Sequence, residues 1–239
     1  MLLFGARWWK LLGLGLSLVG SSFQAYGEAE VPNGHDSRHI VVIRHGQSVA
    51  NVSKRYNTNP ANNGYFPAPL TDIGREQAAA TAADLHDTGY NTDNIAAIFC
   101  SPLPRTIETA EIIASRLGVD KDKIVILESL IERNLGEREG MYHDQFDEKD
   151  SWNPENPEHF HGETNDQVKA RMQVSWAKAL SWPEPGHIIM VGHGQPIQAL
   201  TEYLTGRGKR FANAEFIQFN TDGSQVEIKQ SQLEAAISR

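Results

Sequence analysis

A single cysteine, Cys100, stands in 239 residues, so no disulfide can close within the chain. No Cys-x-x-Cys pair or Cys/His cluster offers a zinc site. Cys100 lies in the apolar run IAAIFCSPL, where a small buried side chain is the expected reading. Basic residues are also scarce: 22 Lys and Arg against 30 Asp and Glu leave a formal net charge of −8. A surface of that sign lacks the footprint that general nucleic-acid binding needs, although a few arginines in a cleft can still dominate the field there. No internal repeat and no long low-complexity linker divides the chain. With 40% hydrophobic and 22% charged residues, the composition suits one sizeable core.

No apolar run reaches the roughly 20 residues of a membrane-spanning helix. The N-terminus comes nearest. Arg7 and Lys10 precede the run Leu11 to Gly20, and a small, polar stretch follows. That is the order of a secretory signal, and AYG (Ala25 to Gly27) places small residues for cleavage before Glu28. The expected organisation is a signal over 1–27, a polar lead-in over 28–38 and one domain over 39–239. Export to a periplasm or to the outside is the expected localisation. An uncleaved anchor, with Trp8 and Trp9 as interface residues, is the alternative, and only then would a membrane be a partner.

Strands and helices alternate along the rest. HIVVIR, IAAIFC, KIVILES and GHIIMVGHG are β-branched or apolar runs bounded by polar residues, as buried strands are. Between them lie TDIGREQAAATAADLHDTG, SPLPRTIETAEIIASRLG and GETNDQVKARMQVSWAKALSW, with caps and spacing of helices. QPIQALTEYLTG reads as a last helix, and EFIQFN with SQVEIKQ as a hairpin or two edge strands. GQSVANVSKRYNTNPANNGYFPAPL reads as a helical turn and a long loop. The pattern predicts an α/β fold, a three-layer αβα sandwich with a mostly parallel sheet. Ligands on such sheets bind beyond the carboxyl ends of the strands. Two strands end there in histidine and glycine, at RHG (Arg44 to Gly46) and GHG (Gly192 to Gly194).

Taken alone, His45 fits a histidine at the edge of the core as well as a nucleophile beside a guanidinium. Arg105, near the start of a helix, fits an anion site, or a surface pair with Glu108 or Glu111. Glu132 fits a chemical role, or a solvated acid among Glu128, Glu137 and Glu139. Ser48 reads as a donor or as a cap. The motifs taken together are more specific. RHGQSVAN, PLTDIGREQA, SPLPRTIETA, ERNLGEREG, HGETNDQVKAR and VGHGQPIQAL occur in an order that resembles the histidine phosphatase superfamily, in its phosphoglycerate-mutase-like branch.

That resemblance implies metal-free phosphoryl transfer without a cofactor. His45 is then the nucleophile, and Glu132 the acid that protonates the leaving oxygen. Arg44, Asn51, Arg105, His193 and the backbone at Gly194 surround the phosphoryl oxygens. Gly46 and Gly194 are expected to let the backbone approach the phosphate. Mutases of the branch carry a long insertion between the acid and the Gly-Glu segment, and here only a short stretch separates Glu132 from Glu163. Hydrolysis of a small phosphomonoester, or of a phosphoprotein, is therefore expected. Mutase activity and a catalytically weak phospho-ligand module are the alternatives. The stretch MYHDQFDEKDSWNPENPEHFHG is acidic and favours a substrate with a neutral or cationic body. Its His143, His159 and His161 lack metal-ligand spacing and read as surface residues.

Overall fold

The computed structural model describes residues 38–145, 160–227 and 230. The expected signal and most of the lead-in lie outside these residues. Six strands form one sheet: β1 (His39–Arg44), β2 (Ile95–Cys100), β3 (Ile124–Ile126), β4 (His187–Gly192), β5 (Phe216–Asn220) and β6 (Gln225–Val226). Their order is β3-β2-β4-β1-β5-β6. The first four in that order run parallel, while β5 and β6 are antiparallel additions at one side. The helices are α1 (Val49–Ser53), α2 (Asp72–Asp87), α3 (Pro104–Leu117), α4 (Asn165–Leu180) and α5 (Gly194–Thr205). The fold is the expected α/β class.

The core explains why the central strands read as unbroken apolar runs. Val41, Ile43, Ile98 and Val191 face α2 and α3 through Leu85, Ile113 and Leu117. Their neighbours Ile40, Val42, Phe99 and Met190 face α4 and α5 through Met172, Trp176 and Leu200. With both faces covered, alternation between polar and apolar residues would strand polar groups in the core. Cys100 is fully buried, and burial pushes its thiol up to about 12, so it is an inert packing residue.

Local signals set the helix ends. Thr71 accepts from the Gly74 N–H, and Thr164 forms a reciprocal capping box with Gln167. Gly118 and Gly206 close α3 and α5 at φ of 70° and 74°. One expected strand is shorter than its sequence suggests. After Ile126 the run KIVILES leaves the sheet, and Glu128–Leu130 makes a 3₁₀ turn. The reason is position: β3 is the sheet edge, Ile126 is exposed, and the turn buries Leu130. It also redirects the chain so that Glu132 lines the cavity above the sheet.

Candidate active site

Register brings the two histidines together. Parallel pairing of β1 with β4 matches Arg44 to Gly192, so His45 and His193 leave adjacent strand ends at one level. Their rings meet edge to face with centroids 5.1 Å apart, and both are buried, at 2% and 0% exposure. The Gly46 carbonyl can only accept, so its 2.7 Å contact places the ring proton of His45 on Nδ1. Nε2 keeps its lone pair and accepts from Arg105 Nε at 3.1 Å. His193 Nε2 lies 2.8 Å from the Ser101 hydroxyl.

Arg105 is not a surface arginine. It is 3% exposed, and its other two nitrogens donate to Asn57 Oδ1 and Asn57 O at 2.7 and 2.9 Å. Glu108 pairs with Arg75 instead. Arg44 donates through Nη1 to Phe211 O at 2.5 Å. Asn51 Oδ1 accepts from the Ser48 N–H, the Ser48 hydroxyl and Asn213 Nδ2, at 3.0, 3.0 and 3.1 Å. Ser48 is thus a helix cap, and the Asn51 NH₂ is the half of that amide left for the cavity it lines.

Glu132 follows the 3₁₀ turn in an irregular segment that is pinned from α4. Arg171 grips Glu163 with Nε and Nη2, at 2.8 and 3.0 Å. Its Nη1 donates to Ser129 O and Ile131 O at 2.9 and 2.7 Å. Asn134 N donates to Glu163 Oε2 at 2.8 Å. Glu132 Oε1 then accepts from the next N–H, of Arg133, at 2.8 Å. A cavity of about 760 Å³ opens over the strand ends, lined by Arg44, His45, Asn51, Arg105, Glu132 and Gly194 among others.

The charges are arranged by burial. His45 is held well below the usual imidazole range, first by desolvation and then by the Arg105 and Arg44 cations; only its bond to Gly46 opposes this. The ring is therefore neutral at ordinary pH. Burial raises the Glu132 carboxyl, outweighing the pull of Arg105 and Arg44. Burial also pushes Arg105 down to about 10. Two buried nitrogens beside His45, Arg44 Nε and His193 Nδ1, have no hydrogen-bond partner. Arg44 Nε can only donate, and His193 Nδ1 donates in the tautomer whose Nε2 accepts from the Ser101 hydroxyl. Unpaired buried donors cost about 1–3 kcal/mol each, so they mark where an anion's oxygens belong.

The two glycines divide. A Cβ on Gly46 would collide with the Gly74 carbonyl of α2. Close packing on α2 thus requires glycine at 46, alongside the expected approach to a phosphate. At Gly194 a Cβ would meet nothing closer than Arg44 Nε at 3.5 Å, an ordinary contact. Gly194 does line the cavity and opens α5, whose N-cap His193 makes no side-chain cap bond.

Sequence reasoning missed Asn57 and Asn213. Both sit in polar loops that carry no period, and nothing distinguishes them there from their neighbours. His143 is exposed and packs against Tyr56, His161 pairs with Glu137 at 2.9 Å, and His159 lies outside the described residues. Among the described residues no group of three or more His, Cys, Asp or Glu is placed to hold a metal ion.

Comparisons with known proteins identify the family. A model of the histidine phosphatase superfamily, branch 1, matches residues 40–236. The probable phosphoglycerate mutase GpmB of Erwinia tasmaniensis is 30% identical over 183 residues, covering 74% of this chain and 77% of that protein. A mycobacterial glucosyl-3-phosphoglycerate phosphatase, solved with VO3, has a TM-score of 0.59 at 26% identity, covering 76% of this chain and 92% of that one. A phosphoglycerate mutase from Bacillus anthracis shares the fold, with a TM-score of 0.64 at 22% identity over 84% of this chain and 98% of that one. The chain belongs to branch 1 of the histidine phosphatase superfamily.

Proposed function

We propose that the chain hydrolyses phosphomonoesters through a phosphohistidine at His45, without a metal ion. One observation carries this reading: a buried, neutral imidazole has its Nδ1–H committed to Gly46, its Nε2 lone pair facing the cavity's arginines, and unpartnered nitrogens on Arg44 and His193 beside it. In the first step Nε2 forms a bond to phosphorus as the ester P–O bond breaks. Glu132, whose carboxyl burial raises above its usual range, gives its proton to the leaving oxygen. In the second step water attacks phosphorus and gives a proton to the Glu132 carboxylate. The N–P bond breaks, and its electron pair returns to Nε2 as phosphate leaves. Fixed cations and N–H donors around the equatorial oxygens supply the stabilisation that a metal would otherwise give.

Acid-labile, alkali-stable label trapped on the wild-type chain by rapid quench, and absent from His45→Ala, is the expected result. A fully active His45→Ala protein refutes it, and turnover that vanishes with chelator refutes the metal-free step. The GpmB relative favours a mutase as the second reading. Phosphate release from a simple monoester, with no bisphosphate primer, decides for hydrolysis; no turnover of any monoester decides for a binding module. The order of charge, apolar run and small residues in 1–27 supports export as a second proposal. N-terminal sequencing of the secreted or periplasmic protein should read from Glu28. Full-length chain in the membrane fraction would support the anchor.

A further inference from the structure

Between α5 and β5 the chain turns at 212–215, where the Glu215 N–H donates to Ala212 O at 3.2 Å. Ala214 takes φ 60° in that turn, a left-handed conformation that glycine or asparagine adopts more cheaply than alanine. The surroundings hold it there. Ala214 is fully buried, its N–H donates to His45 O at 3.0 Å, and its carbonyl accepts from the Thr81 hydroxyl of α2 at 2.7 Å. The Glu215 carboxylate braces the same turn, accepting from the Ala212 N–H and pairing with Lys209, both at 2.7 Å. A strained turn fixed from several sides places its neighbours with little freedom.

The neighbour it places is Asn213. Nδ2 of that side chain donates to Asn51 Oδ1 at 3.1 Å and to His45 O at 3.3 Å, and its two protons allow both bonds at once. The orientation of both amides follows from the fixed groups at the two ends of this relay. The Ser48 N–H can only donate, so Asn51 turns its oxygen toward it, at 3.0 Å. The His45 carbonyl can only accept, so Asn213 turns its NH₂ toward that. The Ser48 hydroxyl also donates to Asn51 Oδ1 at 3.0 Å, but a hydroxyl rotates to suit its partner, whereas the Ser48 N–H and the Asn213 amide do not. Asn51 lines the cavity and Asn213 does not.

We infer that Asn213 is a positioning residue for the phosphoryl site: it holds the Asn51 oxygen so that the Asn51 NH₂ is presented to the transferred group, and it ties that amide to the backbone of His45. This rests on the phosphatase reading of the same cavity. Asn213 acts through Asn51 without touching substrate. The His45 carbonyl keeps its bond from the Ala214 N–H when Asn213 is replaced, so the loss falls on Asn51.

The test is a double-mutant cycle on kcat/KM for a simple monoester, with turnover scaled to the folded fraction from urea unfolding. Asn51→Ala should lose roughly a hundredfold, as when a donor to developing charge is removed. Asn213→Ala should lose roughly tenfold, about the worth of one hydrogen bond. Asn213→Asp keeps the shape of the side chain and replaces its donor by an acceptor. It should lose more than Asn213→Ala, and its ratio to wild type should worsen as pH rises through the titration of the new carboxyl. In an Asn51→Ala background either Asn213 substitution should cost less than about twofold. Undiminished losses in that background mean that Asn213 acts on the fold or on the field, and overturn the inference. Wild-type turnover by Asn213→Asp or by Asn51→Ala also overturns it. Should the wild type turn over no monoester, the phosphatase reading fails by itself. Calorimetric titration of inorganic phosphate into the same proteins then decides the positioning role: losses of affinity that vanish in the Asn51→Ala background support it, and additive losses, equal affinities or no binding overturn it.

Discussion

Replacing Arg105 with methionine separates the two roles a buried arginine can have. The guanidinium is 3% exposed, and burial depresses it to about 10. At about 1.36 kcal/mol per pH unit, holding that cation in the fold costs about 3 kcal/mol at any ordinary pH. Methionine keeps much of the apolar stem and removes that cost. What it loses are three bonds: two to Asn57, which leave the Asn57 carbonyl and amide oxygens unpaired at about 1–3 kcal/mol each, and one to His45 Nε2, which the cavity's water can take over. The two effects nearly cancel. Urea unfolding of Arg105→Met should therefore differ from wild type by less than about 2 kcal/mol in either direction, while kcat/KM on a monoester should fall by roughly a thousandfold, as when a fixed oxyanion donor is lost. A stability loss above about 4 kcal/mol, with near-normal turnover by the molecules still folded, would show Arg105 to be a structural cation and refute the reasoning.

Three further outcomes follow from the same geometry. Glu163→Gln breaks the bidentate grip of Arg171 that pins the Glu132 segment; kcat should fall more on alkyl than on aryl phosphates with KM little changed, and equal loss on both would place the effect elsewhere. Gly46→Ala should destabilise the chain by about 2 kcal/mol or more in thermal unfolding because its Cβ meets α2 backbone, whereas Gly194→Ala should stay within about 1 kcal/mol. His45 and His193 both lie well below the ordinary 6.5, so below that pH the unfolded chain takes up protons the folded one refuses, and stability falls toward acid. Glu132, raised above 4.5, loses stability in the opposite direction as pH rises from there, but it is one group against two. Unfolding at pH 5.5 should thus require about 1–3 kcal/mol less than at pH 7.5, and a flat profile would contradict the buried neutral pair.

The parts of the fold that were legible are those where one physical demand acts on consecutive residues. HIVVIR, IAAIFC and HIIMVG must be apolar throughout because α2 and α3 cover one side and α4 and α5 the other. KIVILES looked the same and was not, because an edge strand can be abandoned when a turn buries Leu130 instead. The strand-end histidines were legible as a pair because parallel strands deliver their C-terminal residues to one rim. Their partners were not. Asn57 binds Arg105 from a sequence distance of 48 residues, and Asn213 reaches Asn51 across 162, and neither contact leaves a period or a spacing in the chain.

Charge shows the same division between sum and place. A chain with net charge −8 gives no hint of a cavity lined by six cations and two acids. The total fixes how the whole molecule behaves in solution, whereas the field a substrate feels falls off within about a Debye length, about 8 Å at physiological salt. Around the cavity the fold has gathered arginines from β1 and α3, and a lysine and three arginines from the segments beside them. The acids near them are mostly spent: Glu139 binds Thr58 and Asn59, Glu163 holds Arg171, and Glu215 takes Lys209. Of the two acids on the wall, Glu132 is the one whose carboxyl burial raises, against the pull of Arg105 and Arg44.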